Sequence, residues 1–170
     1  MDPGNNHFGE TQFLTFTLAG EEYAIGILKV KEIISYGPVT SVPQTPAAVR
    51  GVLNLRGSVV PVIDLALKLG LPTGVINDRT CIVIVEVDLG TERTVMGIVA
   101  DSVSQVIDLC PGDIVPPPPF GTRVRIDFLH GMARADNKFI LVLDIDKVLA
   151  NLDRNSASAA VQTEMPTAAD

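Results

Sequence analysis

Tryptophan is absent from this 170-residue chain, and aromatic side chains make up only 5% of it. The 46% apolar content is therefore mostly aliphatic. Val and Ile are prominent in it, which favours strands, where branched side chains fit a pleated surface. Cysteine is scarce too: Cys81 and Cys110 stand far apart, and no CxxC or CxxH pairing supports a redox motif or a metal site. Cys81 lies in an apolar run and reads as a small hydrophobe. Histidine is limited to His7, in a polar N-terminal stretch, and His130. A Ser–His–Asp or Cys–His arrangement could form only around His130, and nothing nearby marks a nucleophile elbow. Phosphate-cradling glycine motifs are missing. No run approaches the roughly 18 apolar residues of a membrane span, and residues 1–11 lack the apolar core of a signal peptide. Lys and Arg number 13 against 20 Asp and Glu, a net charge of −7. That charge argues against a phosphate-backbone partner and against an anionic membrane surface. These absences predict a cytoplasmic, non-catalytic protein with no cofactor, no nucleic acid and no membrane insertion. A barrel face binding a small molecule or nucleic acid, and a hydrolase using His130, are the competing readings.

What remains is a succession of short strands. Gln12–Leu18 alternates, and the turn at 19–22 leads into Tyr23–Leu28. Val30, Ile33 and Ile34 continue through a bend. Ser58–Asp64 follows, and Pro61 within it predicts an edge or a bulge. Thr80–Val87 is nearly all apolar, as a strand buried on both faces would be. Thr94–Ala100, Val103–Asp108 and Lys138–Ile145 complete the set. Short helices are expected at Leu65–Leu69 and Asp146–Leu152, and a stiff connector at Pro116–Pro119. Residues 1–11 and 155–170 read as flexible tails. The fold class is all-β, either a sandwich or small barrels.

A repeat favours two barrels. Gly51 to Asp64 lines up with Gly131 to Asp144: a Gly, a strand, a polar turn, an apolar run, then Asp and a short helix, with a spacing of 13 in both copies. A weaker echo precedes each copy, Ile27-x-x-Val30-x-x-Ile33-Ile34 against Ala100-x-x-Val103-x-x-Val106-Ile107. Repeated units stack because neither buries its apolar face alone. Asp64 and Asp144 each sit between a strand and a helix, where a carboxylate caps backbone N–H groups, and this reading is preferred to an acid–base pair. The turn Asn54-Leu55-Arg56-Gly57 is different. Its Arg56 has Asp136 as counterpart, so whatever Arg56 does lies outside the shared scaffold, and a turn Arg can hold a carboxylate bidentately.

Together these residues resemble the bacterial chemotaxis coupling protein family, CheW. The matching segments run in order: F-L-T-F-T-L at 13–18, E-E-Y-A-I at 21–25, I-L-K-V-K-E-I at 27–33 and T-P-A-A-V-R-G-V-L-N-L-R-G at 45–57. V-V-P-V-I-D-L at 59–65, G-I-V-A-D-S-V at 97–103 and L-V-L-D-I-D-K-V-L at 141–149 follow. The resemblance implies a CheW-like domain over 12–154 made of two pseudo-symmetric SH3-like β-barrels sharing a hydrophobic core. Barrel one is expected at about 28–86, and barrel two at about 12–27 plus 87–150. It implies an adaptor holding a CheA-type histidine kinase, through that kinase's regulatory domain, to chemoreceptor cytoplasmic tips. Other CheW-like proteins in an array are further implied partners. Receptor contact would fall on Val30, Glu32, Arg56 and Val59, extending to Val103 and Val106. An adaptor of a twitching-motility or surface-sensing pathway is the alternative within the class. Pro117–Asp127, with Arg123 and Arg125, matches the family poorly.

Overall fold

The computed structural model describes residues 12–90, 92–116, 126–135 and 137–150. The expected tails, His7, Asp136, Arg123, Arg125 and all of the proline connector but Pro116 lie outside these residues.

Among the described residues, eleven strands form two sheets. In chain order they are β1 (Gln12–Leu18), β2 (Glu21–Gly26), β3 (Val30–Ser35), β4 (Val49–Leu55), β5 (Ser58–Ile63), β6 (Cys81–Asp88), β7 (Arg93–Ala100), β8 (Ser102–Asp108), β9 (Ile114–Val115), β10 (Leu129–Ala135) and β11 (Lys138–Leu143). One sheet has the order β3-β6-β7-β5-β4 and the other β8-β1-β2-β11-β10-β9. The first five strands of each order correspond, β9 having only the isolated Thr40–Val52 bridge as its counterpart, and each sheet contains one short parallel pairing, β5 with β7 and β11 with β2. Helix α1 (Leu65–Lys68) follows β5, and α2 (residues 145–150) follows β11. Ile27 and Leu28 lie in a 3-10 turn, so β2 stops earlier than its apolar run suggested.

Three clusters of buried side chains explain why two barrels form from one chain. Leu53, Val60, Val62, Ile82, Ile84 and Val99 fill the first barrel. Phe13, Ala24, Leu109, Ala133, Ile140 and Val142 fill the second. The largest cluster lies between them and takes Leu14, Phe16, Val83, Val85 and Ile98 from the strands, with Leu65 and Leu149 from the helices. Along β6 the side chains alternate between destinations. Ile82 and Ile84 point into the first barrel, and Val83, Val85 and Val87 into the shared core. That two-sided burial, with a period of two, is the reason the 80–87 run carries almost no polar residue.

The barrel boundary differs from the expected one. β7 pairs along its whole length with β6 and joins β5, so Val87, Asp88 and all of β7 belong to the first barrel. The cause is an exchange of hairpins. Each repeat contributes its opening hairpin to the other repeat's barrel: β1–β2 joins β8–β11, and β6–β7 joins β3–β5. Pro61 is also placed otherwise than expected, since β5 has a neighbour on each side. It is tolerated because Val52, opposite it, directs both its N–H and C=O to Thr40, away from β5. This marks Val52–Pro61 as a pair without mutual hydrogen bonds. The ladder to β7 begins only at Val62.

The glycine that opens each repeat follows a bulge, between Val49 and Gly51 in β4 and between Leu129 and Gly131 in β10. A Cβ on Gly51 would collide with the carbonyl oxygen of Thr40, and one on Gly131 would lie 2.8 Å from that of Val115. Both neighbours are the short edge segment bridged to that strand. Asp64 caps α1, its Oδ1 accepting the Leu67 N–H at 3.1 Å, and Asp144 Oδ1 accepts the Lys147 N–H at 3.2 Å. The two carboxylates are helix caps, as their position predicted.

Candidate binding surface of the first barrel

β3 and β4 are the opposite edges of the first sheet, and an ion pair links the turn that follows β4 to β3. Arg56 Nη1 donates to Glu32 Oε2 at 2.9 Å and Nη2 donates to Oε1 at 2.8 Å, a fork-to-fork pair. Glu32 sits after a bulge in β3, where Val30 opposes Val85 and Glu32 opposes Ile84. Arg56 sits at the tip of the β4–β5 hairpin. Arg56 and Gly57 have φ of 52° and 88°, the positive values of a type I′ turn, and Asn54 Oδ1 accepts the Gly57 N–H at 2.9 Å. A non-glycine residue therefore holds a left-handed conformation at the tip. The Arg56 hydrogen bonds hold the Glu32 carboxyl below the usual carboxylate range, against a smaller opposing push from burial. Glu32 in turn raises the already high value of Arg56. The side chain of Arg56 remains 74% exposed. The carboxylate that its fork holds belongs to its own chain.

The other expected contact residues divide into two sets. Val59, on the same hairpin as Arg56, is 70% exposed, and Val30 is half-buried against the shared core. Val103 and Val106 are on β8, an edge of the other sheet, where Val103 packs on the shared core and Val106 is 47% exposed. The two sets are pseudo-symmetric: Val103 opposes Phe16 beside a bulge in β1–β8, as Val30 opposes Val85 beside its own. The structure thus joins Glu32 to Arg56 directly, and relates Val30 to Val103 through the shared core.

Sequence reasoning passed over four residues. Leu28 and Phe139 are exposed apolar side chains. Phe139 is the counterpart of Val59, so the repeat alignment contained the signal. Arg50, at the bulge before Gly51, donates through Nε to Asp64 Oδ2, forms an ion pair with it through Nη2 at 3.0 Å, and lies over the Tyr36 ring. Asp146 accepts from Lys29 at 2.7 Å. Nothing in local spacing announces either ion pair. His130 occupies the bulge of β10 and is exposed. Among the described residues, no three His, Cys, Asp or Glu side chains are grouped to hold a metal ion. No helix among them is long and apolar enough to cross a membrane.

Comparison with known proteins accounts for this architecture. The family model for the CheW-like domain matches residues 12–153. Chemotaxis protein CheW of Klebsiella aerogenes is 42% identical over 146 residues, covering 84% of this chain and 86% of that protein. Protein FrzA of Myxococcus xanthus is 30% identical over 142 residues, covering 82% and 86%. The crystal structure of the scaffolding protein TtCheW from Thermoanaerobacter tengcongensis superimposes with a TM-score of 0.74 at 33% identity, covering 82% of this chain and 87% of that one. The family-model match over most of the chain, the 42% identity and the structural likeness make this chain a member of the CheW family.

Proposed function

We propose that this protein is a chemotaxis adaptor that works by recognition rather than chemistry, coupling a CheA-type histidine kinase to the cytoplasmic tips of chemoreceptors. The observation that carries the receptor side is the Glu32–Arg56 pair on the first barrel, flanked by the exposed Val59. An oriented charge pair beside apolar side chains is what an amphipathic helix needs from a partner. Val30, Val59, Val103 and Val106 supply apolar contact to an i, i+3, i+4 face, and Glu32 and Arg56 set its register at the rim. The kinase side is a barrel-to-barrel contact with the kinase's regulatory domain, and other CheW-like chains extend the array. The protein acts at the membrane through these protein contacts.

The test is reconstitution with a soluble receptor cytoplasmic fragment and the kinase. Wild-type protein raises kinase activity, and Arg56→Ala lowers receptor-fragment affinity about tenfold, the scale of a lost charge-assisted hydrogen bond. An Arg56→Ala protein with an unchanged melt and undiminished kinase activation would overturn the assignment of the receptor site.

A further inference from the structure

Asp146 is the second residue of α2 and belongs to the second barrel, yet both of its carboxylate oxygens are spent on the first. Oδ2 accepts from Lys29 Nζ at 2.7 Å, and Oδ1 accepts the backbone N–H of Asp88 at 3.0 Å. Lys29 immediately precedes β3, and Asp88 ends β6, the strand that β3 pairs with. One half-buried side chain therefore pins a helix of the second barrel to the root of two neighbouring strands of the first. The following residue is Val30, which packs on the shared core, and two further on is Glu32.

Among the described residues the arrangement occurs once. In the pseudo-symmetric positions the residue matching Asp146 is Ala66, and the residue matching Lys29 is Ser102. Ala19, the counterpart of Asp88, gives its N–H to Asp101, a residue of the adjoining strand connection rather than of a helix. A feature required only to join two barrels would serve equally on both sides of the pseudo-axis. This one stands only beside the strand that carries the charge pair.

We infer that Asp146 is a positioning residue for receptor recognition: with Lys29 and the Asp88 N–H it forms a clasp that fixes where β3 leaves the shared core. Through it the second barrel governs the presentation of Val30 and Glu32 on the first. The inference rests on the reading of the first barrel as the receptor-facing one. It is tested in the full-length protein with Asp146→Asn, Lys29→Met and the double variant. Each single change lowers affinity for a receptor cytoplasmic fragment about fivefold, and the double is no worse than the poorer single, as for one coupled interaction. Affinity for the kinase regulatory domain stays at the wild-type value. Amide hydrogen exchange at Lys31–Ile34 rises about tenfold while that of β10 and β11 is unchanged, a local opening rather than a global one. Wild-type receptor affinity and wild-type β3 exchange in all three variants overturn the clasp. So does a parallel loss of both partners with uniformly faster exchange, which marks simple destabilisation. Should the wild-type protein bind no receptor fragment, the receptor reading fails, and β3 exchange alone then decides: a local rise upholds the clasp, and its absence overturns it.

Discussion

At the scale of single residues, Arg56 combines two demands that conflict. Its side chain makes the fork to Glu32, and its backbone holds the positive φ that Asn or Gly adopts more readily. Arg56→Asn restores the preferred Asn-Gly turn and removes the guanidinium. We expect its thermal midpoint to equal or exceed that of wild type while receptor coupling falls, and a lowered midpoint in calorimetry would contradict this. The pair also gives a pH dependence. The folded Glu32 carboxyl sits below its ordinary value, so its contribution is present above the unfolded value and lost as pH falls through the folded one. Receptor binding should weaken below the ordinary carboxylate range, and Glu32→Gln should flatten that limb of the profile. Arg56 could be singled out from the sequence because the repeat breaks there. Its partner could not, because the pair links opposite edges of a sheet, and only the folded chain brings those together.

At the scale of elements, the two repeat copies share geometry but not energetics. Both aspartates cap a helix, yet only Asp64 is also the buried partner of Arg50. Asp144→Ala should cost about 1 kcal/mol, the value of a cap. Asp64→Ala should cost about 3 kcal/mol, because the cap is lost and a half-buried guanidinium is left without its carboxylate. Denaturant melts of the two variants check the ordering, and equal losses would refute it. The opening glycines are a second shared element. Gly51→Ala places a methyl group against the Thr40 carbonyl, a rigid backbone atom, and should destabilise by about 3 kcal/mol. The sequence displayed the repeating Gly and Asp, and the Asp role followed from flanking patterns alone. The Gly role did not, since it depends on how closely a separate edge segment approaches. Pro61 misled for a related reason: a proline marks one missing donor, and only the register shows that no acceptor was waiting for it.

At the scale of the whole molecule, the doubled segment pointed to two barrels, the unbroken apolar run of β6 to a strand buried on both faces, and the family resemblance to a common core. The boundary between the barrels was not legible. Strand pairing is set by long-range burial, and a chain that swaps hairpins between its repeats gives no local sign of doing so. The swap makes the barrels thermodynamically inseparable. The shared cluster is the largest, and it draws on both sheets and both helices. Unfolding should therefore be a single transition, with calorimetric and van 't Hoff enthalpies in agreement. Val83→Ala, in the shared core, should lower the signals of both barrels together by about 2 kcal/mol. Two resolved transitions would argue against this.

The hairpin exchange also sets a timetable during synthesis. The first barrel has all its strands once Ala100 has emerged, but β1 and β2 cannot find their sheet until β8, β10 and β11 follow. Until then Leu14, Phe16, Val83, Val85 and Ile98, destined for the common core, have only half of their cover. A nascent chain of this design carries its stickiest surface longest, and its quality control is a race between translation and aggregation.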